Sequence, residues 1–95
     1  MSETKPTILA VDDAPANLDV MVSLLNDLYR VKVATSGAQA LKLATNDRAP
    51  DLILLDILMP EMDGIEVCRA MKEFPQLQDV PVIFISSLDE VVDKV

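Results

Sequence analysis

At 95 residues the chain is one domain at most, and a composition of 51% hydrophobic and 25% charged residues is that of a globular protein rather than a disordered one. A formal net charge of −8 argues against nonspecific nucleic-acid binding and against an anionic membrane surface, since both favour basic patches. A single cysteine and no histidine exclude an internal disulfide, a cysteine-rich zinc site and every Ser-His or Cys-His nucleophile.

Thr7–Val11 is a continuous apolar run and reads as a buried strand. Pro15–Leu28 carries Leu18, Met21, Val22, Leu25 and Leu28 at helical spacing. Pro15 suits the first turn, where its missing N–H costs nothing. Val31–Ala34 is a short strand interrupted by Lys32, which marks it as an edge. Ser36 with Gln39 has the capping-box pattern and opens a second helix, with Ala40, Leu41 and Ala44 on its apolar side. Asp51–Leu55 is another buried-type strand. Asp63 with Glu66 repeats the box and starts a helix through Lys72. Ile65, Cys68 and Met71 form its stripe, which places the lone thiol in the core. Pro75 ends that extension, and Val82–Ile85 is the fourth strand. Ser87 with Glu90 is expected to cap a last helix that has barely begun at Val95.

Strands alternating with helices, the strands apolar throughout, predict a parallel sheet covered on both faces. Short right-handed connections then favour an α/β, doubly wound, flavodoxin-like sheet of order 2-1-3-4. In that order the crevice between strands 1 and 3 opens beyond their carboxyl ends. Asp12 and Asp13 follow the first strand, Asp56 follows the third, and Ser86 ends the fourth. Neighbouring strands lie about 4.8 Å apart, so the three carboxylates are placed to share one divalent cation. Carboxylates this close repel one another unless a cation or a proton relieves them. Only oxygen ligands are on offer, which suits Mg²⁺, and a carboxylate can itself attack phosphorus to form an aspartyl phosphate. Blander readings exist: Asp12 and Asp13 also suit a helix cap, Asp56 suits the turn before Met59-Pro60, and Ser86 reads equally as strand-end filler.

Val11-Asp12-Asp13, Leu54-Leu55-Asp56-Ile57-Leu58-Met59-Pro60 with Asp63-Gly64, and Pro81-Val82-Ile83-Phe84-Ile85-Ser86 together resemble the receiver domain of bacterial two-component response regulators. The likeness runs from about Thr7 to the end, so residues 1–95 are read as one receiver domain. The resemblance implies that Asp56 is the phosphoacceptor. It implies that Asp13 binds Mg²⁺ directly, Asp12 largely through water, and Leu58 through its backbone carbonyl. Ser86 would hydrogen-bond the phosphoryl group, and Gly64 would relax the turn into the third helix. The implied donor is a sensor histidine kinase, and regulators of this type also occur ahead of an effector domain. Such a domain catalyses only its own phosphorylation and dephosphorylation and is not a turnover enzyme.

The family also has a fifth strand and helix, with a lysine that contacts the phosphoryl group. This sequence stops before either, and Lys94, on the expected last helix, does not take that role. Loss of one preorganised cation is expected to slow transfer by about 10²–10³, which puts phosphorylation of this form in question. The fourth strand would then be an open apolar edge. Self-association is expected, by edge pairing or by exchange of elements between chains.

Two further classes remain as alternatives. One is a noncatalytic, self-associating interaction fragment. The other is a phosphatase of the haloacid-dehalogenase type, which wants a second Asp two residues after the nucleophile, where Leu58 stands. A flavin module on the same sheet would need a phosphate-friendly loop after the first strand, and Asp12-Asp13 would repel the phosphate. Met1–Pro6 has no apolar signal region and no run is long enough to span a membrane, so a cytoplasmic setting is expected.

Overall fold

The computed structural model describes residues 5–46 and 48–85; Ser86, the cap at Ser87 and Glu90, and the expected last helix lie outside the described residues. The elements are β1 (Thr7–Val11), α1 (Pro15–Leu25), β2 (Arg30–Ala34), α2 (Gly37–Asn46), β3 (Leu52–Asp56), α3 (Gly64–Met71), a 3₁₀ turn (Pro75–Leu77) and β4 (Val82–Ile85). All pairings are parallel, and the strands lie in the order β2-β1-β3-β4. Among the described residues this is a flavodoxin-like sheet of four strands, with no fifth strand or helix after β4.

Boundaries differ from the sequence reading for local reasons. The first helix ends at Leu25, not Leu28. Asn26 and Asp27 are poor helix formers, and the Leu28 N–H takes the Leu25 carbonyl in a tightened turn at 3.1 Å. The third strand begins one residue later than expected, because Asp51 is used as a staple. Its N–H donates to the Thr7 carbonyl at 2.8 Å, and its carboxylate accepts from the Thr7 N–H at 2.7 Å. That double contact locks the start of β3 beside the start of β1 and so sets the register, Val11 opposite both Ala34 and Leu55.

Of the three expected caps, the two among the described residues form, with one displacement. At α3 the box is complete: Glu66 N–H donates to Asp63 Oδ1 at 2.9 Å and Asp63 N–H to Glu66 Oε1 at 3.1 Å. At α2 the Gln39 N–H donates to Ser36 Oγ at 3.1 Å, but Gln39 Oε1 reaches back past Ser36 to the Thr35 N–H at 2.8 Å. The α3 stripe is also rotated from the expected one. Gly64, Val67 and Met71 are buried at helical spacing, Cys68 is half-buried, and Ile65 is exposed.

The sheet has two unequal sides. Leu9, Val11, Ile53 and Leu55 pack with Ala40, Ala44, Val67, Met71 and Leu77 into one core beneath α2 and α3. The other side carries α1, whose one buried residue is Leu18. Right-handed crossovers explain this: the step from β1 to β2 runs one way along the sheet, and the steps to β3 and β4 run the other, so α1 lies opposite α2 and α3. The path from α3 into β4 is closed by Lys72. Its ammonium donates to the carbonyls of Leu77 (3.0 Å), Gln78 (3.2 Å) and Val80 (2.6 Å).

Candidate functional site

The register that sets Val11 beside Leu55 puts the residues that follow β1 next to the last residue of β3. Asp12, Asp13 and Asp56 thus meet at one edge of the sheet. Each offers a carboxylate oxygen within 4.8 Å of those of the other two. Asp12 and Asp56 are both 5% exposed, whereas Asp13 is open to solvent. Among the described residues this is the acidic group expected from the sequence. An all-oxygen donor set with two members buried suits a hard divalent cation such as Mg²⁺. A bound cation would also relieve the repulsion among the three.

Each buried carboxylate is held by backbone. Asp12 Oδ1 accepts from the Ala14 N–H at 2.9 Å, and the Asp12 N–H donates to the Ala34 carbonyl at 3.1 Å. Asp56 Oδ1 accepts from the Leu58 N–H at 3.3 Å. Asp56 pairs with Ile85 across to β4, and the Ile57 N–H donates to the Ile85 carbonyl at 3.2 Å. The end of β4, which leads to Ser86, is therefore tied to the residue after Asp56.

The loop after Asp56 wraps over the packed side. Met59 is buried, Leu58 is exposed, and Glu61 has a positive φ of 71°. Glu61 sits at the centre of a three-residue turn closed by the Met62 N–H on the Pro60 carbonyl at 2.7 Å. The loop then returns to its start: the Gly64 N–H donates to the Ile57 carbonyl at 2.8 Å. A Cβ on Gly64 would collide with the Asp56 carbonyl and lie 2.9 Å from Ile57 Cα. Close backbone approach, not a left-handed conformation, is thus what requires glycine here, which corrects the turn-relaxing role expected of Gly64.

One polar side chain at this edge escaped the sequence reading. Asn17, in the first turn of α1, donates its amide to Asp12 Oδ2 at 3.1 Å. Its sole sequence signal is an amide five residues after Asp12, at a helical position where nothing apolar is expected.

Comparison with known proteins agrees with the geometry. The profile of the response regulator receiver domain matches residues 8–95. The chain is 43% identical over 89 residues to the response regulator PleD of Caulobacter vibrioides, a match spanning 93% of this chain and 19% of that protein. Among solved structures it is similar to the chemotaxis protein CheY4 of Vibrio cholerae, with a TM-score of 0.81 at 32% identity, over 85% of this chain and 68% of that one. It is also similar to the receiver domain of a sensor histidine kinase from Pseudomonas aeruginosa PAO1, with a TM-score of 0.79 at 34% identity, over 85% of this chain and 66% of that one. That domain is described with a magnesium ion coordinated in its active-site cleft. The chain therefore belongs to the response regulator receiver domain family, the phosphoacceptor modules of two-component signal transduction. Receiver domains take phosphoryl groups from sensor histidine kinases and are in general signalling modules. This chain spans about a fifth of the length of PleD.

Proposed function

We propose that this chain accepts a phosphoryl group on Asp56 from the phosphohistidine of a sensor kinase, at a Mg²⁺ site formed by Asp12, Asp13, Asp56 and the Leu58 carbonyl. The observation that carries this is the convergence of three carboxylates within 4.8 Å, two of them buried. When bound, the metal would neutralise charge on the transferring group and on the surrounding acids. An Asp56 carboxylate oxygen attacks phosphorus in line, a P–O bond forms as the P–N bond to the donor breaks, and the histidine leaves with its electron pair. Leu58 N–H, already on Asp56 Oδ1, holds the carboxylate in place. Ser86, the next residue in sequence after β4, is assigned the hydrogen bond to the incoming phosphoryl oxygens. The domain catalyses its own phosphorylation and dephosphorylation and nothing further, and the parent protein carries an effector that reads the modified state. No helix among the described residues is long and apolar enough to cross a membrane. The net charge of −8 disfavours direct contact with nucleic acid.

The test is incubation with Mg²⁺ and acetyl phosphate, followed by intact mass measurement. The expected result is one phosphate-sized gain, lost in Asp56→Asn and in the presence of a chelator. A folded protein that gains nothing would overturn the reading.

A second reading, self-association, is favoured by one observation. Ile83 and Phe84 on β4 are 50% and 40% exposed, and Leu24 and Leu28 beyond the sheet are more exposed still. An apolar edge strand is a template for another chain. We propose that copies associate through β4 or exchange elements there. Sedimentation velocity should show a dimer or larger species that Ile83→Lys shifts to monomer; a compact monomer at high concentration rejects it.

A further inference from the structure

Asp12 has both of its carboxylate oxygens engaged by the protein. Oδ1 takes the Ala14 N–H at 2.9 Å, and Oδ2 takes the Asn17 amide at 3.1 Å. Asp13, one residue on, is exposed and accepts no hydrogen bond from the described residues. Three carboxylates gathered within 4.8 Å repel, and with only Oδ1 held by the Ala14 N–H the Asp12 carboxylate could still turn its second oxygen away unless that oxygen is restrained too. The Asn17 amide provides that restraint.

The helix itself does not need Asn17. Asparagine is a poorer helix former than alanine. The α1 N-terminus has no side-chain cap, so Asn17 is not serving a free backbone N–H there. Its one polar partner is Asp12.

We propose that Asn17 is a positioning residue of the metal site: by pinning Asp12 Oδ2 it fixes that carboxylate beside Asp56 and so strengthens divalent-cation binding. The proposal rests on the metal-site reading above. Two engaged oxygens leave Asp12 suited to meet a metal-bound water, while unengaged Asp13 is suited to meet the ion itself. Partners that orient metal ligands are typically worth about 10–100-fold in affinity.

Mn²⁺ titration followed by the free-ion electron paramagnetic resonance signal, with Mg²⁺ as competitor, measures this without any activity. In Asn17→Ala the dissociation constant should rise about tenfold. The substitution is electrically neutral and improves helix propensity, so far-ultraviolet circular dichroism should be unchanged. The same substitution is then made in an Asp12→Ala background, which removes one of three repelling charges and whose fold is checked by the same circular dichroism. There Asn17→Ala should change the affinity less than twofold, because its partner is gone. An unchanged affinity in the single variant overturns the proposal. So does an equal loss in both backgrounds, which would mean the effect does not pass through Asp12. If the unaltered chain binds no Mn²⁺, the metal-site reading falls and this inference with it. If it binds and only the cycle fails, the metal site stands and the role of Asn17 does not.

Discussion

Leu54 and Leu55 are neighbours on β3 and point to opposite sides of the sheet, and only Leu55 is buried. The contrast extends along β3 and into β4 on the α1 side, although Ile8 and Ala10 of β1 are buried there at 3% and 0%. On the side of α2 and α3 every large residue of the central strands is enclosed, down to Leu9, Ile53 and Leu55 at 1% exposure or less. On the side of α1, Leu52 and Leu54 are half-buried, Ile83 is half exposed, and Leu24 of the helix is 75% exposed. Both sides are built from the same apolar strand residues, so hydrophobicity does not distinguish them. Crossover geometry does: two helices return over one side and one over the other. The acidic site draws its loop from the enclosed side. Met59 is anchored there, and Gly37 of α2 approaches Met62 so closely that a Cβ would lie 2.9 Å from its sulfur.

The largest test of this asymmetry uses that pair of leucines. Leu55→Ala opens a cavity in a dense core and should cost about 3–4 kcal/mol. Leu54→Ala removes the same atoms from a half-open surface and should cost only about 1 kcal/mol. Urea unfolding followed by circular dichroism gives both values on one scale. Equal losses would break the comparison, because they would mean the α1 side is enclosed in solution, by a second copy or otherwise. Combining that result with sedimentation of the Ile83→Lys variant separates the two explanations.

Much of this was legible in the sequence, and the exceptions have physical causes. Strand positions and order followed from unbroken apolar runs and from Lys32, because a parallel strand covered on both faces leaves no alternation to misread. The carboxylate cluster followed from where those runs end. The length of α1 did not, because periodicity continues to Leu28 while the backbone already turns at Asn26. The α3 stripe was misassigned by choosing Ile65 over Gly64: a glycine carries no hydrophobic signal, yet its contact with Asp56 and Ile57 sets which face is buried. Asn17 was missed for a different reason. An amide that restrains a carboxylate is visible only once the helix turn brings them together.

The smallest expected effect lies in the loop that joins the site to the enclosed side. Glu61 is the described non-glycine residue at positive φ, 71°, between Met59, which is buried, and Met62, which abuts Gly37. Anchoring both methionines forces the reversal onto the residue between them, and a side chain in that conformation costs about 1–2 kcal/mol. Glu61 is exposed, so its side chain contributes little packing in return. Glu61→Gly should therefore stabilise the fold by about 0.5–1 kcal/mol, the gain being trimmed by the larger entropy of glycine in the unfolded chain. The sign is the informative part. A stabilised variant shows that the enclosed side is packed tightly enough to hold a strained turn beside Asp56. A destabilised one would show that the turn is not strained and that the two methionines are held less firmly than their burial implies.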